Sequence, residues 1–144
     1  QIPPNTGNII RLSANTGTKL HLIEPLGFRL DEKSCRRAGL DYRSLANVHI
    51  HKDLDECLKI SSLARVFVIT SLGRKSLFDQ KFAANDGFLF GSETSGLPES
   101  VHARFTEDQK LRLPMIAGNR SLNLSNAASI AVYEAWRQTR FAIA

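Results

Sequence analysis

The fold is decided by a stretch near the end of the chain, which reads LRLPMIAGNRSLNLSNAASIAVYEAW from Leu111 to Trp136. A short strand is predicted over 111–113, because Pro114 lacks the N–H that would continue a strand ladder. A loop rich in Asn and Ser follows, and such side chains bond their own backbone in turns and offer donors and acceptors to a ligand. Ser125 or Asn126 is expected to cap the helix that comes next.

The helix after this loop carries mostly small residues at positions 128, 131, 132 and 135. Their spacing places them on one face, where another element could approach closely. Two interpretations follow. The stretch is either an ordinary core helix with a polar entry loop, which the pattern alone favours, or a ligand-binding loop joined to a packing helix.

The composition is that of one globular domain covering residues 1–144. Hydrophobic residues make up 42% and charged residues 23%, and no apolar run approaches the roughly 18 residues of a membrane helix, so no membrane partner is expected. Cys35 and Cys57 form no disulfide framework, which favours a reducing cytoplasm. No cysteine–histidine spacing indicates zinc, and no metal is expected. His49 and His51 share one strand face and could bind a metal, but surface histidines are the favoured interpretation.

The net charge of +5 is concentrated in two regions. Residues 1–43 hold seven Lys and Arg against four Asp and Glu, and residues 104–144 hold six against three. An anionic partner such as nucleic acid would meet these regions if they are neighbours in the fold. The alternative is charge that only serves solubility.

Strand and helix patterns alternate along the chain. Strands are predicted over 19–25, 48–51, 65–70, 87–91 and 111–113, and helices over 9–15 (capped by Asn8), 32–39, 53–61 and 99–105 before the last helix. This alternation is typical of an α/β fold with a mainly parallel sheet and helices on both faces. Such sheets bind ligands beyond the carboxyl ends of their strands, where turns 70–74, 91–98 and 115–121 could surround a small ligand. The glycine motifs typical of NAD and ATP sites are absent.

Three segments stand out in order along the chain: IPPNTGNIIR at 2–11, FGSETSGLP at 90–98 and LPMIAGNRSLNLSNA at 113–127. Together they resemble the motifs of the SPOUT family of RNA methyltransferases. The segments RRAGLDY at 36–42 and YEAWR at 133–137 are most similar to the members that methylate the ribose 2′-hydroxyl of the tRNA wobble nucleotide, cytidine or uridine 34. The resemblance covers nearly all of the chain, although the strand that family members carry before the first motif is not in this sequence.

The resemblance implies a C-terminal trefoil knot, an obligate homodimer, S-adenosylmethionine as methyl donor and the tRNA anticodon stem-loop as substrate. It also implies cofactor contacts at Ile69, Gly91, Leu113 and Ser121. Ile69 and Leu113 would enclose the adenine, Gly91 would let backbone approach the ligand, and Ser121 would bind a polar edge. Without the resemblance, simple core packing would be the preferred role of Ile69 and Leu113.

Arg11 matches the arginine that the family places at its catalytic centre. Arginine is always charged in proteins and makes a poor base, so our hypothesis is that Arg11 holds the neighbouring phosphate and stabilises the developing alkoxide. Glu93 is a candidate proton acceptor, and Asn123 or Ser125 could orient the hydroxyl.

Four arginines are candidates for contacts with the RNA backbone: Arg36, Arg37, Arg43 and Arg120. Plain solvated charge is the alternative for each. The leading functional interpretation is an RNA 2′-O-methyltransferase acting on the wobble nucleotide. A methylase of the same superfamily with another RNA target, or a non-catalytic domain that binds RNA or a nucleotide, remains open at this point.

Overall fold

The computed structural model describes residues 2–143, so the two end residues of the predicted 1–144 domain lie outside the described part. The chain divides into two compact units. The first runs to Ser62 and includes Ile143, and the second is Leu63–Ala142. None of the helices over residues 2–143 combines the length and apolar character needed to cross a lipid bilayer.

The first unit alternates three helices with two strands. These are α1 (Pro4–Thr16), β1 (Leu20–Ile23), α2 (Glu32–Arg37), β2 (Val48–His51) and α3 (Leu54–Ile60). Aspartates cap the two shorter helices: Asp31 accepts a hydrogen bond from the Ser34 N–H, and Asp53 accepts one from the Glu56 N–H. The unit's core cluster contains Ile2, Ile10, Cys35 and Leu40.

The predicted start of α1 is wrong. Asn8 does not cap the helix, because α1 begins four residues earlier at Pro4 with Pro3 at the N-cap position. Proline is well suited to the first helical position, where its fixed φ fits and the missing N–H has no helical partner to lose. The predicted end is confirmed, since Gly17 follows Thr16 with a left-handed φ of 73°.

The second unit contains a four-stranded sheet and a long final helix. Its elements are β3 (Arg65–Ile69), β4 (Lys75–Ser76), β5 (Asp86–Leu89), α4 (Glu99–His102), β6 (Lys110–Arg112) and α5 (Leu124–Gln138), with 3-10 turns at Leu77–Asp79 and Glu107–Gln109. The sheet order is β4-β6-β3-β5. Its core cluster of Phe67, Leu77, Phe82, Leu111 and Ala131 joins strands, turn and α5.

All the strand pairs described are parallel, as the alternating pattern predicted. The prediction of one sheet is wrong, because the strands form a two-stranded sheet, β1-β2, and the four-stranded one. Local periodicity identifies strands but carries no information about which strand pairs with which. The strand order in the second unit depends on pairing between residues more than twenty positions apart.

Candidate active site

Three adjacent strands of the second unit end at the same edge of the sheet. β3 lies between β6 and β5, and Ile69 pairs with Leu111 while Val68 pairs with Leu89. Parallel strands in this register bring their carboxyl ends side by side. Ile69 is the last residue of β3, and Leu113 and Gly91 follow β6 and β5 closely. The predicted strand-end turns of this unit therefore neighbour each other, and the ligand they bind stays a prediction.

Ile69 and Leu113 are partly buried and pack against the core cluster of the second unit. The core-packing role expected from the pattern alone is therefore present. Both side chains also keep some exposure at the end of the sheet. Two half-buried aliphatic side chains on neighbouring strands suit an apolar wall for a flat ring, so the two roles are compatible.

Gly91 begins a loop that folds back on itself. A Cβ atom at Gly91 would lie 2.3 Å from the carbonyl carbon of Gly96 and 2.4 Å from the nitrogen of Leu97. Ser92 closes the loop, because its carbonyl oxygen accepts from the Gly96 N–H at 3.0 Å and its Oγ lies 2.8 Å from that of Ser95. Glycine is therefore required at position 91, because the backbone of Gly96 and Leu97 lies where a side chain would begin. Its predicted contact with a ligand remains a separate hypothesis.

The predicted proton acceptor and one cofactor contact both lie on exposed loops of the second unit. Glu93 is exposed on the loop that Gly91 begins. Ser121 is exposed on the polar loop between β6 and α5. Gly118 turns this second loop with a left-handed φ of 84°, and the Asn119 side chain donates to the Ile116 carbonyl oxygen at 3.4 Å.

Asn123, rather than Ser125 or Asn126, caps α5. Its Oδ1 accepts from the Ser125 N–H at 3.0 Å and the Asn126 N–H at 3.2 Å. The Ser125 Oγ donates to the same oxygen at 2.7 Å, and Ser125 is only 7% exposed. The predicted cap was wrong by two or three residues because the helix begins at Leu124, immediately after the loop. Asn123 and Ser125, the two candidates for orienting the ribose hydroxyl, therefore both belong to the N-terminal cap of α5.

Two of the four residues on the small-residue face of α5, Ala128 and Ala131, are buried, and Ala131 lies in the core cluster. Val132 and Ala135 are partly buried. Sequence reasoning missed Gln138, which anchors the end of the helix: its Oε1 accepts from the Phe82 N–H at 2.8 Å and its Nε2 donates to the Gln80 carbonyl oxygen at 3.0 Å. A glutamine near a helix end carries no sequence signal for such a long-range contact.

Arg11 lies on α1 in the first unit with its guanidinium exposed. Its Nη2 donates to the carbonyl oxygen of Gly39 at 3.4 Å. A Cβ atom at Gly39 would come within 2.7 Å of Nη2, and Gly39 has a φ of 73° that favours glycine. The sequence predicted Gly39 only as the end of a helix, and its role beside Arg11 became visible only in the fold.

The four candidate RNA-binding arginines are all exposed. Arg36 forms an ion pair with Glu32 at 2.5 Å, one helical turn away. The Arg43 guanidinium lies 5.9 Å from the centre of the Tyr42 ring. Arg37 follows Arg36 at the end of α2, whereas Arg120 lies on the loop before α5 in the second unit. Exposure is compatible with phosphate contacts and with solvated charge alike.

The prediction of two surface histidines is wrong for His51. His49 is exposed, but His51 is 5% exposed and lies beside His21 and Cys57. The reason is that α3, which carries Cys57, contacts both strands of the first unit's sheet. Burial, followed by repulsion from the neighbouring imidazoles and Lys19, lowers the pKa of His21 to about 4. Cys35 and Cys57 are free thiols, and both are buried.

The SpoU rRNA Methylase family matches residues 1–133 of the chain. The chain belongs to this family. The resemblance to SPOUT methyltransferases that the three motifs predicted is therefore confirmed.

Individual members of the family match almost the whole chain. The tRNA (cytidine(34)-2′-O)-methyltransferase of Burkholderia ambifaria is 54% identical over 143 residues, which is 98% of this chain and 92% of that protein. A solved structure concerned with the 2′-OH methylation of C/U34 on tRNA is 43% identical, covers 97% of this chain and 91% of that one, and has a TM-score of 0.84.

A third member was solved with its cofactor. It is the SpoU methyltransferase AviRb of Streptomyces viridochromogenes in complex with AdoMet, which is 26% identical, covers 97% of this chain and 57% of that one, and has a TM-score of 0.78. The match extends over both compact units, and it confirms an α/β fold built from parallel strands and helices.

Proposed function

We propose that this protein is an S-adenosylmethionine-dependent methyltransferase that methylates the ribose 2′-hydroxyl of nucleotide 34 in tRNA. The observation that carries the proposal is the 54% identity over 98% of the chain to an enzyme with that activity. The aligned length of 143 residues includes the loops at the strand ends as well as the core. Those loops carry the chemistry in folds of this kind.

The residues at the sheet edge of the second unit fit S-adenosylmethionine. Ile69 and Leu113 supply half-buried aliphatic surface for the adenine, while the backbone at Gly91 and the exposed hydroxyl of Ser121 supply polar contacts for the ribose and amino-acid portions. When bound, the cofactor supplies a methyl group already activated by a positive sulfur. The protein's task is to position and help deprotonate the ribose hydroxyl.

Arg11 supplies the charge that this reaction needs. Its exposed guanidinium can hold a phosphate next to the target ribose through two parallel hydrogen bonds and stabilise the alkoxide as the proton leaves. Gly39, which has no Cβ, leaves room for the guanidinium beside its carbonyl oxygen. We assign proton acceptance to Glu93. Exposed Asn123 orients the hydroxyl, while buried Ser125 fixes the Asn123 side chain.

Several further features of the proposal rest on the family resemblance. The C-terminal segment with α5 forms a trefoil knot, both units belong to one methyltransferase domain, and the enzyme acts in the cytoplasm as a homodimer without a catalytic metal. The enzyme binds the anticodon stem-loop of its tRNA substrate. The phosphates of this stem-loop contact the exposed arginines at positions 36, 37, 43 and 120.

Calorimetry with S-adenosylmethionine, followed by methyl transfer to unmodified tRNA and nucleotide mapping, tests the proposal. We expect cofactor binding and a single 2′-O-methyl group at nucleotide 34. Transfer to another nucleotide or another RNA would replace the proposed substrate with that of a related methylase. Binding of RNA without binding of S-adenosylmethionine would contradict the enzymatic proposal and favour a non-catalytic domain.

A further inference from the structure

Three potential metal ligands meet in the interior of the first unit, in a place that the proposed reaction does not use. They are His21 on β1, His51 on β2 and Cys57 on α3. The His21 Nδ1 and the His51 Nε2 lie 2.9 Å apart, and each residue's ligand atom lies within 4.8 Å of the other two. His51 and Cys57 are both 5% exposed, whereas His21 is half-buried.

We propose that His21, His51 and Cys57 bind a zinc ion. Two imidazole nitrogens and one thiolate form a donor set that suits zinc, a borderline-soft ion that prefers four tetrahedral ligands. Water would be the fourth ligand. The sequence spacing does not indicate this site, because the donors lie on three separate elements. His21 and His51 are 30 residues apart, and Cys57 follows His51 by 6 residues.

The two histidines need only a small adjustment to hold the ion, and the Cys57 Sγ, which lies within 4.8 Å of both nitrogens, must lie about 3.6 Å from each. Two nitrogens bound tetrahedrally at zinc's usual bond lengths lie about 3.3 Å apart. The His21 and His51 nitrogens must therefore separate by a few tenths of an ångström, which breaks their mutual hydrogen bond. Rotation of the His21 ring can supply this movement, because that side chain is half-buried and its neighbour His49 is exposed.

Binding of the ion has a defined proton balance. Each imidazole binds through the lone pair of a ring nitrogen, which a neutral imidazole keeps. The Cys57 thiol must lose its proton to bind as a thiolate. The zinc–sulfur bond forms as the S–H bond breaks, and one proton is released to solvent for each zinc bound.

The site would join three elements of the first unit. β1 and β2 are paired along their full length, with His21 opposite His49 and Ile23 opposite His51. A zinc ion held by both strands and by α3 would fix this helix against the sheet. We therefore assign the ion a structural role, independent of methyl transfer.

The test is titration of the full-length, metal-free protein with Co²⁺, a spectroscopic substitute for zinc. We expect one equivalent to give the visible bands of a tetrahedral site and a near-ultraviolet thiolate-to-cobalt charge-transfer band. Zinc should displace the cobalt and raise the midpoint of thermal unfolding. The variant Cys57→Ser should lose the charge-transfer band, and His51→Ala should weaken binding at least about tenfold, since a ligand is lost.

Two matched variants serve as controls. His49→Ala removes an imidazole that stacks on His21 without belonging to the three-donor cluster, and Cys35→Ser removes the other buried thiol. Both should keep the cobalt spectrum. Absence of the spectrum in the parent protein, or its persistence in Cys57→Ser, would overturn the proposal.

A measurement on the parent protein covers the case in which a variant fails to fold. Zinc added to weakly buffered protein at neutral pH should release one proton per ion. No proton release would overturn the proposal as well.

Discussion

Arg11 is the residue to which we assign phosphate binding and stabilisation of the alkoxide. Its planar guanidinium can form two parallel hydrogen bonds to a phosphate, which the single ammonium of lysine cannot reproduce. We expect Arg11→Ala to reduce kcat for methyl transfer by roughly a hundredfold or more, comparable to the loss of one preorganised donor in other enzymes. Arg11→Lys should recover only a small part.

Single-turnover methyl transfer to tRNA measures this effect, and cofactor binding by calorimetry is its control. Both variants should bind S-adenosylmethionine as the parent protein does, since we assign Arg11 to the RNA side of the reaction. Full activity in Arg11→Lys would show that the planar group is not needed.

Asn123 has a structural role that can be measured without substrate. Its side chain satisfies two backbone N–H groups at the start of α5 and accepts from the Ser125 hydroxyl. Asn123→Ala should lower the free energy of unfolding by about 1 kcal/mol, the usual cost of losing a helix cap. Urea denaturation followed by circular dichroism provides the measurement.

The neighbouring Asn126 offers a matched control for the cap. It lies inside the first turn of α5 with its side chain exposed, and only its backbone N–H bonds to Asn123. Asn126→Ala should leave stability unchanged or raise it slightly, because alanine favours helix. An equal loss in both variants would mean that the cap is not the cause.

At the scale of elements, the loop that begins at Gly91 is the most sensitive to a single methyl group. A Cβ atom there would lie 2.3 Å from backbone of the same loop, so the loop must open. We expect Gly91→Ala to weaken S-adenosylmethionine binding by at least about tenfold, equivalent to roughly 1.4 kcal/mol. Calorimetry measures the affinity directly.

Gly7 provides the comparison for this substitution. It lies in α1, where an added Cβ would meet nothing within 4 Å. Gly7→Ala should therefore leave cofactor binding unchanged and favour the helix. Unaltered binding in Gly91→Ala would show that the shape of this loop does not determine the cofactor site.

The elements themselves were predictable where the local signal is strong. The β-branched run before Thr70 predicted β3, and Asp53 with Ser61 marked the limits of α3. β4 was missed because it has only two residues, and its pairing with Leu111 and Arg112 is a long-range event without a local pattern. The start of α1 was missed because the helix was predicted to begin after Asn8, whereas Pro4 occupies its first position.

The candidate site was predictable only in part, for a similar reason. Strand-end turns follow from the alternation of strands and helices, so the neighbourhood of Ile69, Gly91 and Leu113 could be expected. The approach of Gly96 to Gly91, and that of Gly39 to Arg11, depend on contacts between loops and elements that no periodicity encodes. The buried position of His51 depends on the placement of α3 in the same way.

At the scale of the whole molecule, the distribution of charge predicts how RNA binding responds to salt. Each phosphate contact with single-stranded RNA contributes about 0.7 to the slope of log K against log salt concentration. If Arg37 and Arg120 each meet a phosphate, the double variant Arg37→Ala, Arg120→Ala should reduce the slope by about 1.4. Arg36, already paired with Glu32, should contribute less.

Filter binding of an anticodon stem-loop RNA over a range of salt concentrations gives these slopes. Lys59→Ala removes an exposed charge from α3 that we do not assign to RNA, and it should leave the slope unchanged. A slope that is the same in the parent and the double variant would remove both arginines from the proposed interface.

The central claim is that this chain places one methyl group on the ribose of the tRNA wobble nucleotide. Mass spectrometry of tRNA from cells that lack the gene tests it most directly. We predict that the 2′-O-methyl group at nucleotide 34 disappears while other modifications remain, and that the parent gene restores it but Arg11→Ala does not. An unchanged 2′-O-methyl group at nucleotide 34 in the deletion strain would contradict the account.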